Sequence, residues 1–296
     1  MDFFDRQYKL VLTTPKGKTL ELTGTGVHGM DVRFNIESGI DGSPSRGTVT
    51  ITGLSRDDIS RYIGLSVLDE GTAASKMMRL DLSVGYRTTG MFNIVSAYVV
   101  SGRSTPPPDL SLTLNVDESY TIGRDFSKII GGVDWRPLEL YKVFDVILGT
   151  WGIFFSKKNS FCKDNQWLDV KVKVQSKVYD FNGARNYVKS LIGNRSMFIS
   201  GNQLYIYDKY ESGSRPHWGT ISKENGLIGV SDIDLTSCTI RSFLQDFGGA
   251  MFPTIRLGSE YNRQANRKYM ILGKTYKGDF RGNSWETSLK CTLEKN

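Results

Sequence analysis

Apolar and polar residues alternate along much of the chain, and the alternation is broken repeatedly by glycine, proline and asparagine. A period of two puts one face of a strand in a core and the other in water. "MDVRFNIES" shows it plainly: Val32, Phe34 and Ile36 share one face, and Asp31, Arg33, Asn35 and Glu37 the other. "YKLVLTT" and "KTLELTGTG" read as a hairpin turning on Pro15 and Gly17. The breaker "GIDGSPS" leads to a further β-branched strand, "GTVTITGL". In "SRDDISRYIG" the pattern changes to a short helix, with Ser55 as N-cap, acids in the first turn and Gly64 as the stop. "RLDLSVGYR", "FNIVSAYVV" and, after Pro106, Pro107 and Pro108, "PDLSLTLNVD" return to alternation. These elements predict a small antiparallel barrel or sandwich ending near Asp117.

The middle of the chain reads differently. "RPLELYKVFDVILGTWG" predicts a helix with Leu138, Tyr141, Phe144, Val146 and Leu148 on one face and Gly149 and Gly152 near its end. A short strand "IFF" follows. "QWLDVKVKVQ" alternates strictly through Leu168, Val170, Val172 and Val174 and predicts a strand wet on one face. In the next unit, Ala184, Tyr187, Val188, Leu191 and Ile192 form a helical stripe that Gly193 stops. "SMFIS" and "QLYIYD" then form a hairpin around Gly201–Asn202. Helix, glycine and strand thus occur twice, over 138–155 and 182–199, as an internal duplication would produce. After the polar loop "ESGSRPHWG", the segments "GLIGVSDIDLT", "TIRSFLQ", "TIRLGSE", "KYMILGKTYK" and "SWETSLKCTL" predict a second small barrel, with "NRQANR" as a polar turn. The expected fold is mainly β with α+β inserts. It has a first barrel over 1–118, inserts over 119–212 and a second barrel over 213–296 that could borrow a strand from 166–176.

Composition narrows the function. The 296 residues carry a net charge of +7, but the basic residues are scattered among acids, as on a solvated surface. Cys162, Cys238 and Cys291 are far apart and form no CxxC or Cys/His cluster, so no metal or other cofactor is expected. Buried free thiols suit a reducing cytosol. The N-terminus "MDFFDRQYKL" lacks the pattern of a signal peptide, and no apolar run reaches membrane-span length, so membrane insertion is not expected.

Catalytic chemistry finds little support. His28 in "GVHGMD" and His217 in the polar loop lie in no nucleophile or metal motif. Asp57 and Asp58 read as first-turn helix acids, and Asp232 and Asp234 as outward positions on a strand. "GLIGVSDID" and "GGVDW" match no nucleotide-binding pattern, and "DFGGAMF" lacks the rest of a kinase signature.

Three segments resemble tailed-phage tail and baseplate hub proteins, the family of late-control-type hubs. "GMDVRFNIESGIDGSPSRGTVTITGLSRDDISRYI" is similar to the family's first barrel, with Leu54 and Ser55 on the motif and Gly53 where asparagine is usual. "DFNGARNYVKSLIGNRSMFISGNQLYIYDK" resembles a helix–hairpin segment turning at Gly201 and Asn202. "KYMILGKTYKGDFRGNSWETSLKC" resembles the closing strands through Gly278, Asp279, Trp285 and Thr287, with Tyr276 where histidine is common. The resemblance implies a structural virion protein without enzymatic activity, assembled in the host cytoplasm. It implies a homotrimer forming a pseudo-six-fold ring between the tail tube protein and a spike or tail-tip protein, in contact with other baseplate proteins. Phage DNA or tape-measure protein would pass through its channel. The implied role of the Gly278–Asp279 turn and Trp285 is a barrel corner, not a catalytic dyad. The alternatives are a tail-associated cell-wall hydrolase on the same framework and a basic β-barrel that binds nucleic acid.

Overall fold

The structure, a computed structural model, describes residues 5–38, 44–67, 77–105, 110–118, 128–129, 137–173, 178–179, 181–200, 203–208, 217–247 and 253–294. The first region supplies strands β1 (Arg6–Thr13), β2 (Thr19–Thr25), β3 (Asp31–Ser38) and β4 (Arg46–Thr52). Helix α1 (Arg56–Val67) and strands β5 (Arg79–Tyr86), β6 (Gly90–Thr105) and β7 (Ser111–Asp117) follow. The middle holds β8 (Lys128–Ile129), β9 (Leu138–Glu139), α2 (Leu140–Leu148), β10 (Phe154–Phe161), β11 (Lys171–Val172) and β12 (Val178–Tyr179). It continues with α3 (Phe181–Leu191), β13 (Ser196–Ser200) and β14 (Gln203–Tyr207). The last region adds β15 (His217–Ser222), β16 (Leu227–Ser231), β17 (Ser237–Phe243), β18 (Thr254–Gly258), β19 (Lys268–Asp279) and β20 (Trp285–Leu293).

Mainly β with α+β inserts is the architecture the chain adopts. The two strand-rich regions, expected as separate barrels, share a single sheet in the order β16-β17-β20-β19-β3-β4-β7-β6-β5-β1-β2, with β15 and β18 attached at β19. Among the described residues no ladder joins its two ends, β16 and β2. The join between the regions is β19. Its first residues pair with β18, through Tyr269 with Ile255, and its last six pair with β3, from Lys274 with Ser38 to Asp279 with Arg33. Alternation explains the inward faces: Tyr8, Leu10 and Leu12 on β1 and Val32, Phe34 and Ile36 on β3 are all buried. The long β6 slips register against both neighbours, between Leu82 and Ser83 of β5 and again between its own Val99 and Ser101. Each slip inserts an extra residue, which bends the strand so that the sheet curls around its apolar side.

Three apolar cores result. The first gathers strands β1 and β3–β7 with Leu54, Ile59 and Tyr62, and it also takes Leu244, Tyr276, Phe280 and Trp285 from the last third of the chain. The second is the helix–hairpin unit, in which α2 and α3 cover the sheet β10-β14-β13. The third lies under β15 and β17–β20.

Several local expectations need correction. Helix α1 runs on through Gly64 to Val67; glycine inside a helix costs about 1 kcal/mol but does not oblige it to end. The buried face of α2 is Leu140, Val143, Phe144, Ile147 and Leu148, and Val146 points outward. "QWLDVKVKVQ" is not a long strand. Gln166–Asp169 is a 3-10 turn that buries Leu168, Val170 is exposed, and only Lys171–Val172 pair, with β9 rather than with the last region. Val174 lies outside the described residues, as do most of "GIDGSPS" and Pro106–Pro108.

The three cysteines are free and buried, and Cys238 and Cys291 sit opposite each other across β17 and β20. Burial pushes the Cys162 and Cys291 thiols up, whereas a hydrogen bond from Cys291 lowers Cys238. A disulfide-exchange reagent needs an exposed thiolate. All three thiols are therefore expected to react at least about 100-fold more slowly in the folded protein than after unfolding. Fast titration of two thiols in native buffer would show that the third core opens.

Candidate functional site at the β19–β20 corner

Residues 278–285, where β19 turns into β20, carry three of the motif positions, and Thr287 follows two residues on. Asp279 closes the turn. Its Oδ1 accepts hydrogen bonds from the backbone N–H of Gly282 at 2.7 Å and of Arg281 at 3.2 Å. Its own N–H donates to the Ser284 carbonyl at 2.7 Å. Its Oδ2 lies 3.3 Å from Arg33 Nε, and the same guanidinium binds Asp31 at 3.0 Å. Asp279 thus spends its oxygens on local N–H groups and one arginine, the work of a turn-holding carboxylate.

Distant segments tie the corner down. Arg6, at the start of β1, donates to the carbonyls of Asp279 at 2.8 Å and Gly282 at 2.6 Å. Arg281 reaches the Gly29 carbonyl at 2.6 Å, and the Phe280 N–H bonds the Val32 carbonyl at 3.0 Å. The sequence gives no sign of these arginine contacts, because each joins positions more than 250 residues apart.

Trp285 is buried in the first core, edge-on to Phe34 at 5.2 Å between ring centroids and 6.2 Å from Phe280. The Arg6 guanidinium lies 5.5 Å from its ring centroid. Its Nε1–H finds no acceptor among the described residues, although a buried indole ordinarily has one. Gly278 faces Phe34 on one side and Trp285 on the other. A Cβ there would run into the Phe34 ring and stand 2.9 Å from Trp285 Cε3. The missing side chain is what lets the two aromatics meet. Thr287 is buried, and its Oγ1 exchanges hydrogen bonds with the backbone of Gln245, at 3.3 and 3.4 Å, pinning the segment after β17 to β20. Tyr276 is a buried phenol whose ring lies 5.9 Å from that of Phe92, and burial raises its ionisation well above the usual range.

The other singled-out residues lie elsewhere. Leu54 is in the first core, and Ser55 caps α1: its Oγ accepts from the Asp58 N–H at 3.1 Å and donates to the Asp58 carboxylate at 2.7 Å. Gly53 has φ +97, a left-handed conformation that glycine and asparagine share more readily than other residues, which accounts for the exchange at this position. Gly201 and Asn202 fall outside the described residues. His28 sits in the turn after β2, in an isolated bridge with Thr25. His217 opens β15 rather than lying in a loop, with Nδ1 3.1 Å from the Thr254 hydroxyl. Strand β16 ends at Ser231, so Asp232 and Asp234 are turn residues, and Asp234 accepts bonds from the backbone N–H groups of Thr236 and Ser237. Among the described residues no cluster of three histidine, cysteine, aspartate or glutamate side chains is placed to hold a metal ion, and no helix is long and apolar enough to cross a membrane.

This fold is similar to those of solved phage tail proteins and of a secretion-system component. The tail protein from Neisseria meningitidis MC58 has a TM-score of 0.58 at 9% identity, over 97% of both chains. The 43 kDa tail protein of prophage MuSo2 from Shewanella oneidensis has a TM-score of 0.56 at 10% identity, again over 97% of both. An Escherichia coli component of the type VI secretion system, itself structurally similar to the bacteriophage T4 tail proteins gp27 and gp5, has a TM-score of 0.55 at 10% identity. That likeness covers 90% of this chain and 74% of the other. No protein-family model and no curated protein matches the sequence.

Proposed function

We propose that the chain is a structural virion protein, the hub of a phage tail or baseplate. The observation that carries this reading is the extent of the likeness: 97% of this chain and 97% of each of two tail proteins align in one fold. In this reading three copies close into a pseudo-six-fold ring, with segments 1–118 and 213–296 as the two related parts of each subunit. The ring binds the tail tube on one side and a spike or tip protein on the other, meets further baseplate proteins, and forms part of the channel for DNA or tape-measure protein. Cyclic closure requires two different, complementary surfaces on each subunit. The role is geometric and needs no catalytic group. Asp279, Gly278, Trp285 and Thr287 act in it as corner residues that fix β19 and β20 against the first core.

The test is solution mass by light scattering, for the protein alone and mixed with a spike or tail-tip protein of the same virion. The expected mass is three times 33.2 kDa, alone or on mixing. A monomer that persists across concentrations and ignores the spike protein would overturn the reading.

A further inference from the structure

Beside the corner lies an open cleft of about 800 Å³, formed by the start of β1, the turn after β2, the turn after β5 and residues 280–282. That volume falls within the usual range of ligand-binding clefts, about 300–1,000 Å³. Three arginines, Arg6, Arg87 and Arg281, line it against one acid, Asp5. Among the described residues none of the three arginines forms an ion pair with a carboxylate. Arg6 and Arg281 instead hold backbone carbonyls, which fixes their guanidinium groups in place and leaves the cleft with more cations than acids. Val27, 81% exposed, and Phe243, 40% exposed, supply apolar walls next to them. An exposed aromatic edge beside pre-oriented arginines matches the residue types enriched at protein-binding surfaces.

We propose that this cleft binds an acidic polypeptide segment of a partner protein. Arginine meets carboxylates in paired, charge-assisted hydrogen bonds, and the fixed guanidinium groups lose little freedom on making them. Val27 and Phe243 then cover the apolar side chains that flank the acids. A polypeptide fits better than a nucleic acid strand. Strand binding relies on a basic groove that follows many phosphates and on exposed ring faces for stacking, whereas here the cations converge on one short cleft, Phe280 is buried, and the most exposed apolar wall is aliphatic. The proposal goes beyond the hub reading and does not depend on it, since the cleft lies within a single chain.

The experiment is fluorescence anisotropy of labelled octaglutamate with the full chain at low and moderate salt, beside an eight-residue oligothymidylate of similar charge. Octaglutamate is expected to bind, more tightly than the oligonucleotide, and to weaken at least tenfold in Arg87→Glu. It is expected to change less than twofold in Arg103→Glu, an equal charge change at an exposed position of β6 away from the cleft. Arg87 is exposed and its side chain has no hydrogen bond or ion pair to another element among the described residues, and circular dichroism of the variant checks that the fold is retained. Absence of octaglutamate binding, a loss below fivefold in Arg87→Glu, or an equal loss in Arg103→Glu would each overturn the proposal. Tighter oligonucleotide binding with the same Arg87 dependence would overturn it in favour of nucleic acid. A monomeric mass would leave all these outcomes as they are, so the two readings fail separately.

Discussion

Trp285→Ala is expected to destabilise the protein by about 3–5 kcal/mol, the usual cost of emptying a buried aromatic site. The indole fills the junction between the first core and the corner, against Phe34, Phe280 and the Arg6 guanidinium. Its neighbours cannot collapse into the space easily, because Tyr8 and Phe280 are already locked edge-to-face at 4.7 Å and Gly278 is held in the ladder. Trp285→Phe is expected to cost far less, about 1 kcal/mol. It keeps most of the apolar volume and removes an N–H whose unsatisfied burial itself costs about 1–3 kcal/mol. Urea denaturation of the two variants, followed by circular dichroism, gives the comparison. Equal losses would mean that the indole N–H is satisfied after all. A small loss for alanine would mean that Trp285 does not hold the corner.

Gly278→Ala is the second large effect, expected at about 2 kcal/mol of destabilisation. One methyl group in a filled core costs about 1–3 kcal/mol, and here it meets Phe34 and Trp285 together. The lower entropy of the unfolded alanine chain offsets only about 0.4–1 kcal/mol of that. Gly149→Ala is the control. Gly149 has right-handed helical geometry, and an added Cβ there meets nothing within 4 Å. It is expected to be neutral or slightly stabilising. Opposite signs for the two substitutions in the same denaturation assay would confirm that the aromatic contact requires the bare backbone. Equal signs would remove that explanation.

What the sequence made legible follows physical lines. Strands with one dry face were readable, because a period of two leaves little choice: Val32, Phe34 and Ile36 are buried as the alternation requires. The Ser55 cap was readable because its partner, Asp58, is three residues away. The face of α2 was not, since "LYKVFDVILG" has apolar residues nearly all round and a stripe cannot be chosen locally. "QWLDVKVKVQ" alternates without a long partner strand, so Leu168 turns into the second core and Val170 into water. At the corner, Gly278, Asp279 and Trp285 could be picked out from their motif. Arg6, Arg281 and Gln245 could not, because what they hold is brought near only by the finished fold.

The position of β19 also bears on how the molecule is made. Its pairing with β3 joins residues 274–279 to residues 33–38, some 240 positions earlier, and the first core lacks Tyr276, Phe280 and Trp285 until those residues emerge from the ribosome. Contacts so remote in sequence are slow to form and leave apolar strand faces uncovered in the interim. A nascent chain cannot complete its first core before Trp285 has been added and released from the ribosome. Completion of the first core is therefore deferred until β19 and β20 have been made, and the early strands wait unfinished for that hairpin.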